Sequence, residues 1–184
     1  MIRLPLAPTL QPPSVAVKTS YLVGEQADMP HRGDDTGWLG AASTDFDAFV
    51  AERVGVRLRW GVPSEVLWFT AGEYYLGSLV IRHELTDDEG GGHLGYHVVY
   101  PWQRQGHATE MLRQALPLCR RLGLDRVLLT VAPDNAASLR VVGRFDPTPD
   151  GIDHEGELGL GVVTGRWARV GAPAEVRVGG WRGG

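Results

Sequence analysis

Val98-Val99-Tyr100-Pro101-Trp102-Gln103-Arg104-Gln105-Gly106-His107-Ala108-Thr109 decides how the rest of the chain is read. A β-branched apolar run stops at Pro101. Polar residues then turn the chain, and a glycine with small residues behind it opens a new element. Beyond the turn, Ala108, Met111, Leu112, Ala115, Leu116, Cys119 and Leu122 recur at three- and four-residue steps, with Arg113, Gln114, Arg120 and Arg121 on the other side. That spacing predicts an amphipathic helix from about Gln105 to Leu122, stopped by Gly123. Pro117 removes one ladder hydrogen bond and should kink it. The opening amides of such a helix lack internal partners and carry partial positive charge, so they form an anion site. Gly106 and Ala108 leave the backbone approachable, and Arg104 adds a cation. A plain strand-to-helix connection has the same composition, so local residues alone leave both readings open.

Upstream, Val66 to Thr70 and Tyr74 to Arg82 read as strands joined through Ala71-Gly72-Glu73. His93 to Tyr100 is a third strand after the polar turn Asp87 to Gly92, and Gly61-Val62-Pro63 is a break. Thr44 to Ala51 reads as a helix capped by Ser43 or Thr44, with Phe46, Phe49 and Val50 on one face. The first forty residues are poorly patterned: Tyr21 to Glu25 could begin a short helix, and Asp28 to Gly40 reads as a loop. Downstream, Arg126 to Val131 is a buried strand and Ala136 to Val142 a brief helix. Gly159 to Val170 supplies one or two closing strands, 171–184 forms a C-terminal tail, and its end, Gly179 to Gly184, is expected to be mobile. Strands alternating with helices predict one α/β (α+β) domain, a sheet with helices on its faces, with its core at about 44–170.

The 184 residues suit a single domain; 43% are apolar and 22% charged. A net charge of -4 implies no basic surface and argues against nucleic-acid binding. A lone cysteine, Cys119, rules out an intrachain disulfide and CxxC metal sites, so a cytoplasmic home is the simpler expectation. Pro5, Pro8, Pro12 and Pro13 interrupt the start, which lacks the apolar core of a signal peptide. No run approaches the ~18 apolar residues of a membrane span. A homodimer is left open.

Gln103-x-x-Gly106-x-Ala108 resembles the (Gln/Arg)-x-x-Gly-x-(Gly/Ala) pyrophosphate loop of the GNAT superfamily of N-acetyltransferases, and its context of strand, loop, long helix, strand and Asn135-Ala136-Ala137-Ser138 is similar as well. Ile81-Arg82-His83-Glu84-Leu85 and Gly91-Gly92-His93-Leu94-Gly95-Tyr96 extend the likeness to a bacterial subgroup of predicted acetyltransferases. The resemblance implies a mostly antiparallel mixed sheet, splayed where acetyl-CoA enters. Amides of Gln105, Gly106, His107, Ala108 and Thr109 would hold the pyrophosphate, with Gln103 and Arg104 beside them. Backbone at Val98, Val99 and Tyr100 would run along the pantetheine, and Asn135 and Ser138 would lie next to it. The implied reaction is direct attack by an amine on the thioester, with no metal and no covalent enzyme intermediate. An acyl-CoA-binding module without catalysis is the competing class.

Such a reaction needs a proton acceptor. His93 heads the third strand, with His97 on the same face, and titrates in a suitable range. It either takes the amine's proton or pins a neighbouring turn through a backbone hydrogen bond. Glu84 is the rival base, and its alternative is a plain strand-end charge. Cys119 reads as core. The chain departs from the family in having Val99, Tyr100 and Gln105 where basic residues and a proline are usual, and Gly143-Arg144-Phe145-Asp146-Pro147 after the short helix. That helix carries no tyrosine, so the proton donor to the leaving thiolate is unassigned.

Overall fold

Trp68 and Phe69 are sequence neighbours and point to opposite faces of one sheet, as successive strand residues must. The Trp68 ring stacks on Tyr21 at 4.8 Å, while Phe69 meets His107 edge-on at 6.1 Å. Helices therefore cover both faces. The computed structural model describes residues 4–32, 37–85, 92–124, 126–132, 134–145, 153–154 and 163–169.

Five strands form the main sheet: β1 (Thr9–Gln11), β2 (Val56–Arg59), β3 (Val62–Ala71), β4 (Tyr74–Arg82) and β5 (Leu94–Val98). Their order is β1-β3-β4-β5, and β2 also pairs with β3. A second sheet joins β6 (Arg126–Val131), β7 (Asp153–His154) and β8 (Val163–Arg169) in the order β6-β8-β7. Every ladder among the described residues is antiparallel, and the sheet was expected to be mostly so. Among the described residues no ladder links β5 to β6, so the two sheets part there.

On the first face lie α1 (Lys18–Arg32), α2 (Gly37–Thr44) and α3 (Phe46–Ala51); α4 (His107–Arg121) and α5 (Ala136–Val142) follow later in the chain. Two sequence readings are corrected. The N-terminal region is ordered into β1 and a 15-residue helix, and Asp28–Arg32 is helical rather than loop. Val17, Tyr21, Gly24, Glu25 and Asp28 form one buried helical stripe. Three of those five are not apolar, which hid the stripe from a hydrophobicity count. The cap of α3 is Asp45, whose Oδ1 accepts from Ala48 N–H at 3.0 Å. The Ser43 and Thr44 hydroxyls instead donate back to Leu39 and Gly40 carbonyls inside α2.

The break at Gly61-Val62-Pro63 is a tight turn. Trp60 and Gly61, both at positive φ (52° and 80°), swing β2 back onto β3, which then starts at Val62. The β4, β6 and α5 limits agree with the sequence reading. Of the closing strands, β8 starts at Val163; 159–162 and the 171–184 tail lie outside the described residues. Val17, Tyr21, Trp68, Tyr75, Leu112 and Leu129 belong to one core cluster, so packing begins well before residue 44. No helix among the described residues is long and apolar enough to cross a membrane.

Pro117 sits inside α4 with its side chain exposed. Its ring supplies no ladder donor. Pro117→Ala should hold or raise the melting temperature and leave ligand affinity at the helix start unchanged, because the site of change lies about three turns away from it. A clear drop in melting temperature would show that the packing of α4 depends on the proline.

Candidate acyl-donor site

The loop is built from backbone conformations that its sequence permits. After β5 a single turn of 3-10 helix, Tyr100–Trp102, has proline at its start, where a missing N–H is harmless. Arg104 (φ 59°) and Gly106 (φ 87°) then take left-handed conformations, and Gly106 is the N-cap of α4. Glu110 N–H is closed by the Gly106 carbonyl at 3.1 Å. By helix geometry the amides of His107, Ala108 and Thr109 have no partner within the helix. Among the described residues, and apart from its own chain neighbours, nothing lies within 4 Å of where a Gly106 Cβ would stand. A pyrophosphate-sized anion fits that exposed, amide-rich turn, with the exposed Arg104 beside it.

Not every expected contact is left available to a ligand. The Val98 carbonyl accepts from Gln103 Nε2 at 2.9 Å. Tyr100 N–H donates to Asp28 Oδ1 at 2.7 Å. Val99 N–H donates to Leu76 and its side chain is buried against Gly24 of α1. Gln105 Nε2 donates to the Pro101 carbonyl at 3.2 Å. The His107 ring turns inward, edge-on to Phe69 and Trp102, so only its backbone is presented at the helix start. Thr109 is buried and Ala108 half-buried. Asn135 caps α5 by accepting from Ser138 N–H at 3.0 Å. Ser138 itself stands near the Tyr96 phenol of β5 without closing a well-formed hydrogen bond to it. Burial raises the Tyr96 pKa, and Ser138 partly opposes this, so the phenol keeps its proton at neutral pH.

His93 lies where the two sheets still touch. Its N–H donates to the Leu128 carbonyl at 2.8 Å, and its Nδ1 accepts from Leu128 N–H at 3.0 Å. Gly92 beside it packs so closely on β6 that a Cβ would come within 2.6 Å of the Leu128 carbonyl. The residue therefore rivets β5 to β6 through backbone groups, and the turn at 87–91 lies outside the described residues. With Nδ1 accepting, the neutral ring carries its proton on Nε2. Glu84 is exposed just beyond β4. Cys119 is fully buried on α4, and burial pushes its thiol up to about 12, which makes it inert at neutral pH.

The sequence reading missed an acidic group beneath the loop. Glu25 and Asp28 of α1 are buried, and His97 of β5 reaches both, 3.8 Å from Glu25 Oε1 and 3.5 Å from Asp28 Oδ2. The buried Tyr75 hydroxyl donates to Glu25 at 2.8 Å. Two acids on the inward stripe of α1 were the available signal. Also unforeseen is a concavity of about 470 Å³ lined by Thr109, Arg113, Leu116, Pro117, Arg120, Arg144 and Phe145. It places three guanidinium groups beside α4, and Thr109 connects it to the helix start.

A sequence profile described as an acetyltransferase (GNAT) domain matches residues 32–146. The chain belongs to the GNAT acetyltransferases. Among solved structures, the GNAT fold recurs in Mycobacterium smegmatis RimJ in complex with CoA-disulfide, with TM-score 0.63, 19% identity, and 91% of this chain and 84% of that one covered. It recurs in yncA from Salmonella typhimurium with its cofactor acetyl-CoA, at TM-score 0.53 and 15% identity, covering 92% and 96%. A third is a Salmonella typhimurium acetyltransferase that modifies the N-terminal serine of a ribosomal subunit protein, at TM-score 0.58 and 15% identity, covering 88% and 94%. No curated protein matches the chain in sequence. At these identities the likeness carries the fold.

The two inward histidines give this GNAT domain an acid-sensitive stability. Burial lowers the His93 pKa, helped by nearby Arg82, and burial lowers that of His107. The unfolded chain titrates near the ordinary value of 6.5 and takes up protons that the folded chain refuses. Their contribution is therefore complete above that value and is lost as pH falls through it. Melting temperature should decline below about pH 6.5, and His93→Asn should flatten part of that slope. An unchanged slope in the variant would remove His93 from this account.

Proposed function

We propose that this chain transfers an acetyl group from acetyl-CoA to an amine by direct attack on the thioester. The observation that carries this is the amide-rich start of α4, opened by Gly106 and set beside the gap between β5 and β6. Pyrophosphate at His107, Ala108 and Thr109 directs the pantetheine arm along the β5 edge, past Val98 and toward Asn135 and Ser138. Arg113, Arg120 and Arg144 suit an anionic, phosphate-bearing donor. The attack forms a C–N bond and releases the thiolate; the amine proton must pass to an acceptor, and the thiolate must gain a proton or leave as the anion.

His93 is the proposed acceptor, placed at the rivet between the sheets. To receive a proton it must give up the Leu128 N–H bond, since that bond keeps Nε2 protonated. This observation favours Glu84 as a second reading, because an exposed carboxylate is free to accept without such a rearrangement. The acceptor substrate is proposed to be an amine of a small molecule or a peptide N-terminus; the neighbour that modifies the N-terminal serine of a ribosomal subunit protein makes N-terminal peptides the first class to assay. CoA release measured over a panel of N-terminal peptides, polyamines and amino acids tests the whole reading. Turnover above the amine-free rate supports transfer. Tight CoA binding with no turnover on any amine would favour the non-catalytic acyl-CoA module, a reading supported by the absence of tyrosine from α5.

A further inference from the structure

We propose that Asp28 is a positioning residue for the acyl donor, holding the loop that receives the pyrophosphate from the opposite side of the sheet edge. The inference deepens the donor reading above and rests on it. A carboxylate under an anion-binding loop is electrostatically misplaced unless it does something the fold needs, since like charges repel across a low-dielectric interior. Asp28 is buried on α1, yet one oxygen accepts Tyr100 N–H at 2.7 Å and lies 3.5 Å from Gln103 Nε2. The same Gln103 amide donates to the Val98 carbonyl at 2.9 Å. One acid thus ties together the last residue of β5, the 3-10 turn and the first polar residue of the loop.

Its second oxygen faces His97 Nε2 at 3.5 Å, and His97 also approaches Glu25. Tyr75 holds Glu25 in place from β4. The His31 ring, one turn further along α1, stacks on Tyr100 at 3.6 Å and braces the same residue from the surface. The left-handed conformations of Arg104 and Gly106 that expose the α4 amides lie immediately downstream of this clamp. Asp28 acts through backbone groups and touches no substrate.

The test compares two donors. Asp28→Ala removes the acceptor, and Asp28→Asn keeps an oxygen that can accept Tyr100 N–H. CoA affinity by calorimetry, and KM for acetyl-CoA, should weaken about tenfold or more in the alanine variant, the scale of a lost hydrogen bond to a charged group. The asparagine variant should recover most of that loss. Acetyl-pantetheine lacks the pyrophosphate, so its kcat/KM should be the same in the parent and both variants. A merely structural role would weaken both donors alike, and that result overturns the proposal. So does an alanine variant that binds CoA like the parent, or an asparagine variant as weak as alanine. A parent that binds no CoA overturns the donor reading itself and the proposal with it. Should the alanine variant not fold, exchange of the Tyr100 amide in the unliganded parent decides: slow exchange supports the clamp and fast exchange overturns it.

Discussion

Gly106→Glu should weaken CoA binding by at least about tenfold, equivalent to 1.4 kcal/mol, while the protein stays folded. Two separate effects add. The N-cap of α4 has φ 87°, and a residue with a Cβ pays roughly 1–2 kcal/mol to hold that left-handed conformation. The described residues offer no clash, since apart from its chain neighbours none of them comes within 4 Å of a Gly106 Cβ. In the proposed function the anion occupies that space, so the added carboxylate would meet the phosphates directly and cancel the favourable field of the helix start. Gly106→Ala separates the two effects. It should show a lowered melting temperature with a smaller loss of affinity, because it keeps the strain and omits the charge. Calorimetric titration of both variants with CoA, beside thermal melts, measures this. A folded Gly106→Glu protein with parental CoA affinity would mean that the first turn of α4 does not hold the pyrophosphate.

The second large effect is expected at His93. His93→Ala leaves the Leu128 N–H without its acceptor, and an unsatisfied buried donor costs about 1–3 kcal/mol. If His93 also takes the amine proton, kcat falls by ~10²–10⁴ in the same variant. His93→Asn distinguishes the rivet from the base. Its side-chain oxygen can accept Leu128 N–H, so most of the stability should return, but it cannot serve as a base near neutral pH. A kcat that stays low in a stable His93→Asn protein identifies the proton acceptor. A kcat that recovers with stability leaves His93 as the rivet alone and moves the base to Glu84, where Glu84→Gln should then lower kcat with CoA affinity unchanged.

Local pattern determined a large part of this protein. The period of α4, the limits of β4, the short apolar run of β6 and the extent of α5 are all properties of neighbouring residues, and each was readable from local apolar spacing and the breakers that bound it. The strand–loop–helix at 98–109 was legible for the same reason, and so was the glycine at the start of α4. Tertiary structure decided what those residues meet. The α1 stripe carries Gly24, Glu25 and Asp28, whose burial makes sense only once Val99, Tyr75, His97 and Tyr100 are brought against it from sequence positions 50 or more residues away. The trimmed ends of β5, the N-terminal strand β1 and the engagement of His93 by Leu128 depend equally on backbone groups of distant strands. The sequence by itself thus determined the family and the strand–loop–helix around Gly106, because those follow from contacts a few residues apart. Which polar groups of the site are spent on the fold and which remain for a ligand was decided only by the tertiary structure, since a backbone amide or an imidazole nitrogen takes its role from whatever long-range partner reaches it first.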